Sequence, residues 1–153
     1  MKWYFLVGLT VMVIVGTLLF RIPIPGGGYF NFGDVVVVFA GLYAGKKVGM
    51  IAGGVGSAIA DLIGFPIFAP ITLIAKGLEG LLCGFGHGKK ALYTFLFPAI
   101  GVSVMVVVYF FGTWLLPQSG LAGAIAELVP NMLQALFGFA GGRMLYAAFK
   151  HFE

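Results

Sequence analysis

Charge is what this chain has least of: nine basic and five acidic residues in 153, or 9% of the total. A soluble domain covers its surface with roughly a quarter charged residues, so this fraction excludes a water-exposed globule. Cysteine occurs once, at Cys83, which excludes an internal disulfide. The only histidines, His87 and His151, stand near lysines and in no zinc-ligand spacing, so they read as solvated loop residues, and neither metal nor cofactor is expected. No phosphate loop is present: "GLYAGKKVG" (41–49) lacks both the leading spacing and the Ser or Thr that must follow lysine. The chain therefore cannot hydrolyse ATP by itself. What it has is apolar residues, 61% of the total, with a mean hydropathy of +1.08. The expected class is an all-α integral membrane protein, a single domain over 1–153. Its net charge of +4 sets membrane topology rather than binding nucleic acid.

Apolar runs mark the spans. They cover Trp3–Phe20, Phe32–Ala44, Val48–Phe65, Ile67–Phe85, Ala91–Leu116 and Leu121–Phe149, the last two holding Pro98 and Pro130. The first run is too long for a signal-peptide core and no small-residue cleavage site follows it, so it reads as a retained helix. The second run is short, and charge decides in its favour. With six crossings and a cytoplasmic N-terminus, Lys2, Lys46, Lys47, Lys89, Lys90, Arg143 and Lys150 all lie at inner ends. That bias fits the positive-inside rule and gives an N-in, C-in topology. Strands are disfavoured, because the runs are apolar all round rather than alternating. Small residues recur four apart, at Gly49, Gly53 and Ser57, at Gly80 and Gly84, and at Gly138 and Gly142. This spacing lets helices approach closely in lipid.

Ionisable groups inside a bilayer are costly and usually face a partner or a cavity. Asp61 falls near the outer end of the third run, with Lys76 and Glu79 on the fourth. Glu127, Asn131 and Gln134 share one face of the sixth, at i, i+4 and i+7. Asn31 and Asp34 stand at the outer mouth of the second. All gather in the outer half, beneath the extracellular loop "RIPIPGGGYFNFGD" (21–34). Lys76 has a plainer reading, as an ion-pair partner of Glu79 or of Asp61; Asn131 has one too, as a cap for backbone freed by Pro130. Taken together the set reads as a pocket for a small polar molecule, with Tyr29, Phe30 and Phe32 as aromatic walls and the loop as a lid. The substrate-binding set is thus Tyr29, Phe30, Asn31, Asp61, Lys76, Glu79, Glu127, Asn131 and Gln134. An intramembrane hydrolase is disfavoured, since Ser57 lies mid-membrane and both histidines at cytoplasmic ends. A purely structural membrane subunit remains a third alternative.

Four stretches carry a resemblance. The proline-glycine loop ending in Gly33-Asp34, "GVGSAIAD" (54–61), "KGLEG" (76–80) and "PNMLQ" (130–134) occur in the order found in substrate-binding S components of energy-coupling factor (ECF) vitamin transporters. The chain resembles the riboflavin- and hydroxymethylpyrimidine-type branch over essentially its whole length. The resemblance implies a six-helix protein of the bacterial cell membrane that captures a vitamin or precursor on its outer face. Its partners would be that vitamin, the surrounding lipid bilayer, and an ECF module of one transmembrane T protein and two ATPases. The docking alanine pair of the first helix is replaced here by Gly8, Met12 and Gly16. A compact pocket of amides and carboxylates favours a hydroxymethylpyrimidine or pyridoxine-like ring, because no clustered Trp supplies a flavin slot; riboflavin or another vitamin is the alternative.

Overall fold

A computed structural model describes residues 3–19, 21–23 and 29–152. Lys2, the glycine run Gly26–Gly28 and the second loop proline, Pro25, lie outside the described residues, and with them the central part of the expected lid. Six α-helices follow in order. They are α1 (Trp3–Leu19), α2 (Gly33–Ala44), α3 (Lys46–Gly64), α4 (Ala69–Cys83), α5 (Ala91–Leu115) and α6 (Gly120–Phe149). One short pairing departs from the all-helical expectation. Within the first loop, β1 (Ile22–Pro23) and β2 (Tyr29–Phe30) pair antiparallel, Ile22 opposite Phe30. Outside the helices, these backbone groups need partners, and each strand supplies them to the other.

Four helical stretches are long and apolar enough to cross a membrane: Lys46–Gly64, Pro66–Gly86, Ala91–Leu115 and Gly120–Phe149. The third of these is also the most lipid-like, with Leu96, Ile100, Val107 and Phe111 all exposed. Helices α1 and α2 are shorter. At 12 residues, α2 rises only about 18 Å, yet it is the most enclosed element, burying Val37, Val38, Phe39, Ala40, Gly41 and Leu42. It packs on α1, α3, α4 and α6. Pro98 and Pro130 stand inside α5 and α6 without ending either helix.

Two features set the spacing that leaves room for a site. The α2–α3 connection is the single residue Gly45, at φ +83°, a left-handed value that only glycine adopts without strain. Helices α3 and α4 meet backbone to backbone: a Cβ added at Gly49 would come within 2.3 Å of the Gly80 carbonyl oxygen. In lipid such close approach replaces the missing hydrophobic drive. Leu42, Ala75, Cys83, Val102 and Met105 form one buried apolar cluster with Tyr109.

Candidate ligand-binding site

The polar residues of α3, α4 and α6 separate into two sets. The first surrounds a small cavity of about 20 Å³, at the end of the bundle that carries the β1–β2 loop. Its walls are Tyr29 and Asn31 from the loop, Asp61 from α3, Phe68 and Thr72 at the start of α4, Tyr109 from α5, and Glu127, Asn131 and Gln134 from α6. The i, i+4, i+7 spacing on α6 thus delivers all three of its side chains to one void.

The walls are held by a relay of hydrogen bonds. Tyr29 donates its hydroxyl to the Asp61 carboxylate, and Thr72 donates to the other Asp61 oxygen at 2.5 Å. A hydroxyl has one proton, and Thr72 has committed its own to Asp61. Tyr109 is therefore the donor across the 2.8 Å contact between the two hydroxyls. On the opposite wall Gln134 accepts from both the backbone and side-chain N–H of Asn31, at 3.0 and 3.1 Å. Asn31 in turn accepts from the Gly33 N–H at 2.7 Å, fixing the start of α2. Thr113 donates to Glu127 at 2.9 Å. The other Glu127 oxygen, Oε1, is buried without a hydrogen-bond partner. An acceptor left in that position is available to a donor brought by a ligand.

Arg21 closes the outer edge. Its guanidinium carbon lies 4.6 Å from the Tyr29 ring centre, and Nη2 lies 3.8 Å from Asp61 and donates to the Ala60 carbonyl at 2.5 Å. Tyr29 also stacks on Phe65 with ring centres 4.8 Å apart. Burial holds the Tyr29 hydroxyl well above the ordinary tyrosine range, and the adjacent Asp61 charge pushes the same way. Tyr29 therefore remains a neutral donor, latching the loop to α3.

The second set lies off this cavity. Lys76 pairs with Asp34 of α2 by a direct hydrogen bond and stands 3.5 Å from Glu79. All three side chains are at most 2% exposed. Of the ion-pair partners expected for Lys76, Glu79 is present and Asp61 is not. Asp34, placed at the outer mouth by sequence, instead turns inward to the lysine. Lys76 and Glu79 accordingly lie outside the cavity wall, as does Phe30. That ring packs edge-on against Phe32 and Phe137, at 5.4 and 5.8 Å between centres, beside the cavity rather than in it. His87, expected to be solvated, is exposed but brings Nδ1 within 2.9 Å of the Leu42 carbonyl.

Three lining residues escaped the sequence reading: Phe68, Thr72 and Tyr109. Thr72 lies four residues before Lys76 on α4, and that shared face was the available signal. Tyr109 is one hydroxyl within an otherwise apolar run. On α1, Gly8 has open space around its Cβ position and Met12 is exposed, whereas Gly16 packs against Val36 of α2. The three positions therefore do not share one free face.

A bundle of apolar helices, four of them long enough to cross a membrane, with a small polar cavity beside a loop is the architecture of a membrane protein with a candidate small-molecule site. Comparison with known proteins makes the class specific. The family model for the ECF-type riboflavin transporter S component matches residues 5–151, and the chain belongs to that family. It is also similar to a Pyrococcus woesei protein described as "Uncharacterized protein in gap 3'region". The two are 42% identical over 142 residues, covering 88% of this chain and 92% of that protein. The family is one of transporter subunits rather than enzymes, and its members are multi-pass membrane proteins.

Proposed function

We propose that this S component captures riboflavin or a close flavin relative at the outer membrane face, for uptake driven by a separate ECF module. The observation that carries the reading is the cavity itself. Phe68, Tyr29 and Tyr109 supply aromatic faces for a flat heteroaromatic ring once the cavity widens beyond its present volume of about 20 Å³, while Asn131 and Gln134 offer amides that both donate and accept. Such amides suit an uncharged edge carrying carbonyls and an N–H. Asp61, Thr72 and Glu127 suit the hydroxyls of a sugar-alcohol tail. The expectation of a smaller pyrimidine or pyridine ring finds no support in the family match, which fits the riboflavin alternative. Aromatic area for a flavin comes from tyrosine and phenylalanine, so the shortage of tryptophan is no obstacle.

In this reading all six helices cross the membrane, N-in and C-in, and Lys46, Lys47, Lys89, Lys90, Arg143 and Lys150 mark the cytoplasmic end. The cavity is then extracellular, and the loop over 21–34 is its lid. Opening requires Tyr29 to leave Asp61. The T protein and two ATPases supply the energy, in keeping with the lack of a phosphate-loop motif in the sequence. The exposed side of α1, with Gly8 and Met12, is the proposed docking face.

The test is titration of purified protein with riboflavin, hydroxymethylpyrimidine and pyridoxine, reading flavin fluorescence or intrinsic tryptophan emission. Saturable one-to-one binding of riboflavin alone is the expected result. Binding of the pyrimidine or pyridoxine instead would restore the small-ring reading. Silence with all three would leave a structural subunit as the better account.

A further inference from the structure

A second feature lies on the lipid-facing side of α5 and α6, running from the level of the cavity toward the opposite end of the bundle. Phe95, Val102 and Val106 of α5 and Met132, Leu136 and Phe139 of α6 wall an almost wholly apolar groove of about 540 Å³. The next position on the α6 stripe, four residues past Phe139, is Arg143. Its guanidinium carbon lies 4.9 Å from the Phe95 ring centre and 5.1 Å from that of Phe139, capping the groove. Among the described residues its hydrogen bond is from Nε to the Thr94 carbonyl, at 3.1 Å, and no described carboxylate pairs with it. A guanidinium carries five N–H donors, so the two Nη groups retain donors for an anion. Exposed Lys89, Lys90 and Lys150 stand at the same end.

Length selects the occupant. From Arg143 back to Met132 the α6 wall rises about 16 Å, close to half of a hydrocarbon core of about 30 Å. That is the reach of one acyl chain in one leaflet, with its phosphate at the level of the arginine. Forked guanidinium geometry matches phosphate oxygens.

We propose that this groove is a site for an anionic phospholipid, an acyl chain between α5 and α6 and the headgroup phosphate on Arg143. The inference rests on membrane placement of the bundle but not on the identity of the vitamin. Delipidated protein in mild detergent is incubated with equal phosphatidylglycerol and phosphatidylcholine of identical chains, then examined by native mass spectrometry. Phosphatidylglycerol is expected to be retained about fivefold over phosphatidylcholine, the increment of one basic contact near a membrane surface. Arg143→Gln brings that ratio to about one, and Ser103→Phe, at an exposed position in the groove, lowers retention of both lipids. Equal retention by the unaltered protein overturns the proposal, whatever the variants do. So does an undiminished preference in folded Arg143→Gln, or a lipid-free dimer, which would give the groove to a second copy. Riboflavin titration of Arg143→Gln, expected unchanged, keeps a failure here distinct from failure of the vitamin reading.

Discussion

The two buried polar sets of this bundle lie side by side and behave differently. Asp61, Thr72, Tyr109, Glu127, Asn131 and Gln134 face a void, and Glu127 still has an unfilled acceptor. Asp34, Lys76 and Glu79 face one another off that void, as an ion-paired set in which Asp34 Oδ2 and both Glu79 oxygens likewise lack a hydrogen-bond partner. Both sets are made of residues that lipid penalises, so polarity inside a membrane does not by itself mark a site. What separates them is whether the groups neutralise each other or are held apart by the fold. Lys76 finds two carboxylates within one helix turn and one neighbouring helix. The α6 side chains bond outward instead, Glu127 to Thr113 and Gln134 to Asn31.

The sharpest way to break that contrast is to remove the shared cation. Lys76→Met leaves two carboxylates buried and unpaired, and the expected loss of stability is about 3–5 kcal/mol, read as a drop in thermal midpoint in detergent. Adding Asp34→Asn and Glu79→Gln should recover most of it, because a neutral set no longer carries an unpaired charge. A single variant that melts normally yet fails to bind riboflavin would move the triad into the binding site. A smaller effect is expected across the cavity. Asn131→Ala and Glu127→Ala should each weaken ligand binding about tenfold, or roughly 1.4 kcal/mol, with little change in melting. Equal loss of stability in these variants would make the two sets alike and erase the distinction.

The smallest effect tests the latch between them and the solvent. Tyr29 is raised above its ordinary range by burial and by Asp61. Above pH about 10 the unfolded chain releases this proton while the folded one keeps it. The folded state then binds more protons, so stability falls as pH rises. Tyr29→Phe should remove part of that alkaline decline and, by taking a donor from buried Asp61, lower stability near pH 7 by about 1 kcal/mol. An identical alkaline profile in the variant would show that the hydroxyl is not sequestered.

Much of the architecture was legible because lipid allows few solutions. Continuous apolar runs can only be helices, and the bounds expected for the third to sixth runs fall within a few residues of those observed. The i, i+4, i+7 polar face of α6 was equally readable, since helix period fixes direction. The first loop was read only in part, as its paired strands depend on backbone partners rather than on side-chain pattern. Thr72 and Tyr109 stayed hidden because one hydroxyl barely alters the hydropathy of an apolar run. Asp34 was placed at the membrane mouth by its position in sequence. Nothing local shows that the side chain turns toward a lysine 42 residues away.

The sequence by itself determined the membrane class, the helices and the end of the bundle at which polar groups collect, because hydropathy, period and charge bias are local properties. Tertiary structure alone decided which of those groups share a cavity and which cancel one another. That choice depends on how closely α3 approaches α4 at Gly49 and Gly80, and on how α2 is seated against α6. Helix spacing sets the distances at which a carboxylate meets an ammonium or an empty space, and no single helix encodes it.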